Sequence, residues 1–188
     1  MNVLEQTYFN LDKLDHINKI LETQCFYLVF GGFAMDGLRG SIARPHKDID
    51  MLCFRRDAGL IKKALAKIGI KLNDVLHIED SSLIYKMVSQ DLHKTVTIHI
   101  LDEVLDNCFE ISFYRSLRIR FPVYLIAPKS VTLERVLFPV PQIEFLIQLK
   151  KMEHNRFEKV RMEKPQVYFE KESIHIQVKK DLELMESL

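Results

Sequence analysis

Residues 28–54 constrain this chain more than any other stretch. Leu28-Val-Phe ends an apolar run at Gly31-Gly32, a segment with Phe33, Ala34, Met35 and Leu38 follows, and Arg44-Pro-His-Lys-Asp-Ile-Asp50 leads into a second apolar run. The order reads as strand, tight glycine turn, short helix, loop and strand. Residues two apart in a strand share a face, so Asp48 and Asp50 project together while Ile49, Met51 and Cys53 face the other way. Two adjacent carboxylates repel, and a divalent cation between them removes the repulsion. Glycines at the turn let backbone N–H groups approach an anion, and a helix N-terminus favours negative charge. Phosphate and metal thereby have neighbouring seats. Other phosphate motifs fit worse: no Gly-Lys-Ser/Thr follows the glycines, and Gly31, Gly32, Gly37 and Gly40 do not fall into Gly-x-Gly-x-x-Gly spacing.

Composition sets the frame around that segment. A chain of 188 residues, 47% of them hydrophobic, can bury one good core with a small appended element but is short for two full domains. We therefore expect a core over residues 1–138 and an extension over 139–188, mainly helical at its start. The net charge of +1 gives no general pull toward nucleic acid or an anionic membrane, so anion binding must come from local groups. Cys25, Cys53 and Cys108 are odd in number and far apart, which fits reduced thiols in the cytoplasm better than disulfides or a zinc site. No apolar run approaches the ~20 residues of a membrane span, and the N-terminus lacks a basic-then-apolar leader pattern.

Along the chain, Leu11, Leu14, Ile17, Ile20 and Leu21 recur at helical spacing, as do Leu60, Ile61, Ala64, Leu65 and Ile68 before Gly69. Residues 70–78, 83–88 and 95–101 read as strands, with 89–94 a polar connection between the last two. Residues 109–113 and 118–126 read as further strands. Beyond Pro128 the pattern predicts helices over 131–137 and 143–152, with Pro139 and Pro141 at the joint. The charged remainder leaves 167–169 and 174–178 open between strand and helix.

The motif residues Gly31, Gly32, Phe33, Ala34, Asp36, Gly40, Arg44, His46, Asp48 and Asp50 resemble the signature of the DNA polymerase beta-like nucleotidyltransferases, most closely the aminoglycoside and lincosamide branch. The resemblance covers roughly residues 25–152 and is strong over 28–54. It implies an α/β (α+β) fold, a mixed β-sheet core flanked by helices with a C-terminal helical extension. It also implies transfer of a nucleoside monophosphate, AMP foremost, from ATP or another triphosphate to the hydroxyl of a small molecule. Mg²⁺ would be held by Asp48 and Asp50, and the phosphates would meet Gly31 and Gly32. No nucleic acid or membrane partner is expected; short transferases of this kind often complete their acceptor cleft with a second copy, so the resemblance leaves a homodimer open.

Arg44 and His46 are candidates for phosphate contact, although His46 could equally hydrogen-bond the loop and Arg44 could pair with Asp36 or Asp48. Lys150 stands where the family often has a lysine reaching the triphosphate; a surface lysine with its stem over apolar groups fits the same pattern. The family's third carboxylate lies in an apolar-Asp-apolar-His pattern, and the corresponding segment here is Val96-Thr97-Ile98-His99, without the acid. Proton removal then falls to His99, to Glu79, Asp80 or Asp102, or to no group at all. The last case implies a nucleotide-binding or scaffold protein of the same fold with impaired transfer.

Overall fold

The computed structural model describes residues 3–79, 82–91, 95–104, 107–113 and 117–188, and the chain divides into two compact units, Met1–Pro141 and Gln142–Leu188. In the first unit, α1 (Val3–Leu21) lays Leu11, Leu14, Ile17 and Leu21 into the core. Then follow β1 (Leu28–Phe30), α2 (Gly31–Arg39), β2 (Ile49–Phe54), α3 (Arg55–Lys67), β3 (Leu72–Glu79), β4 (Ser82–Ser89), β5 (Val96–Val104), β6 (Cys108–Phe113) and β7 (Leu117–Pro122). One mixed sheet runs in the order β1-β2-β5-β4-β3, with β6 against β5 and β7 against β6. Among the described residues only β2 and β5 pair in parallel, and every other pair in this sheet is antiparallel.

The alternation read from the sequence explains where this sheet is buried. Ile49, Met51 and Cys53 on β2 and Val96, Ile98 and Ile100 on β5 share one face and are all buried. The opposite face is also apolar at Leu28, Leu52, Phe54 and Leu101, yet at Asp50 and Thr97 it is polar and only half-buried. His99, two residues further along β5 on the same face, is half-buried as well, so polar, partly open positions gather at the start of β2 and the first half of β5.

Two expectations fail. Residues 131–137 are not helical: β8 (Lys129–Leu133) and β9 (Val136–Val140) form an antiparallel hairpin, preceded by a 3-10 turn over Val123–Ile126. Val131 and Leu133 point inward, and so do Val136, Phe138 and Val140, a period of two that the intervening Glu134-Arg135 turn puts out of step. Both turn residues have positive φ, 48° and 74°, the backbone of a two-residue hairpin turn whose hand matches strand twist. Pro139 would break a helix interior, and it is tolerated here because a two-stranded sheet has only edges. The strand expected over 118–126 likewise stops at Pro122.

The second unit is helical: α4 (Ile143–Glu163), α5 (Pro165–Phe169) and α6 (Glu172–Glu186). Pro165 opens α5 at a position where its missing N–H costs nothing. Residues 139 and 140 complete β9. Among the described residues no helix is long and apolar enough to cross a membrane.

Candidate active site

The glycine turn and the Asp-x-Asp strand meet side by side. Phe30, the last residue of β1, pairs with Asp50, so the turn that follows lies against the Asp50 carboxylate. Gly31 adopts φ +68°, and a Cβ built on it would stand 2.8 Å from Asp50 Oδ2. Any other residue there would be both strained and in collision with the acid. Phe30 at the N-cap has no polar side chain to satisfy the first N–H groups of α2, and these therefore open toward whatever approaches the turn. Asp48 is exposed, one residue before β2.

Gly32 faces the other half of the motif. A Cβ on it would overlap the His46 ring and come within 3.3 Å of Arg44 Nη2. His46 is 3% exposed: its Nε2 lies 2.7 Å from Asp36 Oδ2, and its ring packs on Phe33 with centroids 4.6 Å apart. Asp36 Oδ2 also accepts a hydrogen bond from the Ala43 N–H at 3.0 Å. The His46 backbone is held from α1, where Thr7 Oγ1 accepts from its N–H at 2.8 Å and Asn10 Nδ2 donates to its carbonyl at 3.3 Å. This buried network fixes the loop from Gly40 to Lys47 and, through it, the start of β2.

Of the residues singled out from sequence, Gly31, Gly32, Arg44, His46 and Asp50 are thus brought together, with Asp48 beside them in sequence. The sequence reading missed Asp36, Thr7 and Asn10 as the brace. Their signal was present, because Thr7 and Asn10 continue the core stripe of Leu14, Ile17 and Leu21, and a polar residue on such a stripe needs a buried partner.

Thr97 pairs directly with Asp50, and His99 with Leu52. Residues opposite one another in a ladder share a face, so Thr97 stands beside Asp50. The entry to both strands is pinned, since Ile49 N–H donates to the Thr95 carbonyl at 2.8 Å and Asp91 caps Thr95 through its N–H and hydroxyl at 3.0 and 2.7 Å. His99 packs edge-on against Phe30 at 5.3 Å. Burial, and then the charge of Lys86, push its pKa down to about 4. Asp102 is offset by an odd number of residues from Thr97 and His99, hence on the other face, and is paired with Arg55. Asp80 and the side chain of Glu79 lie outside the described residues. Lys150 belongs to the second unit, where its Nζ lies 2.9 Å from Glu153 Oε2 and 3.5 Å from Asp181 Oδ2.

The donor chemistry suits a hard cation. Asp48 and Asp50 offer carboxylate oxygens, Thr97 a hydroxyl, and Mg²⁺ asks of a protein one or two carboxylates, taking the rest of its shell from water and substrate phosphates.

Solved structures share this fold. The chain superposes on ANT(2'')-Ia in complex with adenylyl-2''-tobramycin with a TM-score of 0.60 at 14% identity, over 95% of this chain and 96% of that one. For the lincosamide antibiotic adenylyltransferase LnuA with lincomycin bound, the TM-score is 0.50 at 17% identity, over 77% and 83%. An antigenic nucleotidyltransferase-like protein from Paracoccidioides brasiliensis gives 0.51 at 14%, over 95% and 76%. The family model for aminoglycoside-2''-adenylyltransferase matches residues 14–107, from α1 through β5. The chain belongs to that family. No curated protein matches it by sequence.

Proposed function

We propose that this protein transfers a nucleoside monophosphate, AMP foremost, from a nucleoside triphosphate to a hydroxyl of a small molecule. The observation that carries the reading is the Asp50 carboxylate packed against Gly31 at the turn. The triphosphate lies along the Gly31-Gly32 turn, where backbone N–H groups at the start of α2 bind its phosphate oxygens. Asp48 and Asp50 would hold Mg²⁺, which when bound neutralises charge on the phosphate oxygens. Arg44, whose Nη2 borders Gly32, is positioned for the same anion, while His46 supports the turn from behind. Lys150, held by Glu153 and Asp181 within the second unit, has no part in this reading. The acceptor oxygen attacks the α-phosphorus, the bond to the bridging oxygen breaks, pyrophosphate leaves, and the hydroxyl proton passes to a base. Cys25, Cys53 and Cys108 are free thiols, and an unpaired set of this kind fits the reducing cytoplasm.

A second reading rests on Thr97. A hydroxyl cannot take the acceptor proton at neutral pH, and His99, though neutral there, is a weak base when its conjugate acid has a pKa of about 4. The protein then binds Mg·ATP and transfers slowly or not at all. Incubation with ATP, Mg²⁺ and either tobramycin or lincomycin, followed by mass spectrometry and a pyrophosphate assay, tests both. An adenylylated acceptor supports the first reading. Mg·ATP binding without any adduct supports the second, and absence of both binding and transfer contradicts both.

A further inference from the structure

The second unit holds a side-chain cluster that nucleotide chemistry does not use. His154 and Glu158 are one turn apart on α4 and so share a face, and His175 on α6 meets them. His154 Nδ1 lies 2.9 Å from His175 Nε2, and Glu158 Oε1 lies 3.6 Å from that same Nε2. One donor atom from each residue falls within 4.8 Å of the others. His175 is 1% exposed, stacks on Phe157 at 5.2 Å and has Nδ1 3.0 Å from the buried Tyr168 hydroxyl. When Nδ1–H donates to Tyr168, the Nε2 lone pair is left pointing at His154 and Glu158. A hydrogen bond on the outer nitrogen is how metal-bound histidines are oriented and kept in one tautomer.

We propose that His154, Glu158 and His175 form a site for a divalent transition ion, Zn²⁺ foremost, that clasps α4 to α6 and leaves a fourth position for water. Two imidazoles and one carboxylate are a donor set that Zn²⁺ takes readily, whereas Mg²⁺ and Ca²⁺ prefer oxygen alone. The rearrangement required is small: Zn–N bonds of about 2.0–2.1 Å in a tetrahedral shell place two nitrogens about 3.3 Å apart, a few tenths beyond the present contact. Glu158 is not idle without an ion, since Lys179 Nζ lies 3.3 Å from Oε1 and Arg161 Nη2 2.6 Å from Oε2. An incoming cation must displace Lys179, which is half-exposed and can turn to solvent. The competing account is a hydrogen-bonded histidine pair with no ion, and it makes opposite predictions.

Titration of the metal-free full-length chain with Zn²⁺ by calorimetry, and with Co²⁺ by its visible absorption, separates them. One equivalent should bind to the wild type, and equally to a chain carrying both Asp48→Asn and Asp50→Asn, which keeps the nucleotide site out of the reading. His154→Ala should abolish it, Tyr168→Phe should weaken it about 10–100-fold through the outer hydrogen bond, and Lys179→Met should tighten it by removing a competing charge. Lys179→Met disturbs only a surface residue and keeps the test decisive even when a histidine variant folds poorly. Absence of a one-equivalent site, its survival in His154→Ala, its loss with the two aspartates, or unchanged affinity in Lys179→Met would overturn the proposal.

Discussion

Within one motif, the loop behind the glycine turn and the mouth in front of it obey different physics. Behind, His46, Asp36, Thr7 and Asn10 are all fully buried or nearly so and satisfy one another's hydrogen bonds. In front, Asp48 is exposed, and Asp50 and Thr97 are half-buried beside the turn. Residues that are neighbours in a signature therefore separate into a buried brace and an open edge, and the two should respond to mutation in different currencies. Damage to the brace lowers stability. Under the proposed function, damage to the edge should lower binding or rate and leave the fold alone.

The largest expected effect is at the edge. Thr97→Asp places a carboxylate beside Asp50, and if the missing base limits the reaction, transfer should rise by about 10²–10⁴-fold, the usual contribution of general base assistance. An unchanged rate in steady-state assays would show that another group already serves. Next comes the brace: His46→Ala removes one partner of a buried hydrogen-bonded pair, leaves Asp36 with the Ala43 N–H alone, and should cost about 3 kcal/mol in chemical denaturation. A loss below about 1 kcal/mol, the worth of an ordinary hydrogen bond, would deny it that role.

An effect of similar size is in pH. His99 titrates at about 4 in the fold and at about 6.5 when unfolded, so between these values the unfolded chain binds more protons. The stability contributed by keeping His99 neutral is complete above about pH 6.5 and is lost as pH falls toward 4. His99→Gln should flatten that slope in denaturation curves taken across the window, and an identical slope would contradict the shift. Smallest of all, Asp48→Asn should change stability by no more than about 0.5 kcal/mol, as at other exposed positions.

The same division explains what the sequence revealed. The approach of turn to acid was legible because glycines and alternate carboxylates leave few local conformations open. The sheet was legible from apolar alternation in β2 and β5. The β8–β9 hairpin was not, because Glu134 and Arg135 adopt positive φ without the Gly or Asn that usually signals such a turn. Nor was the pairing of Asp36 with His46, which depends on how the loop folds back over α2. His154, Glu158 and His175 were hidden for a related reason: α4 and α6 must pack before residues so far apart in sequence can meet.

The central claim is that Asp48 and Asp50 form a cation-assisted triphosphate site at the Gly31-Gly32 turn. Calorimetric titration of Mg·ATP into the wild type, Asp48→Asn and Asp50→Asn tests it most directly, with Zn²⁺ excluded by working in Mg²⁺ alone. The account predicts binding by the wild type that requires Mg²⁺ and is lost in both variants while their denaturation curves stay close to wild type. Wild-type affinity in both variants would contradict it.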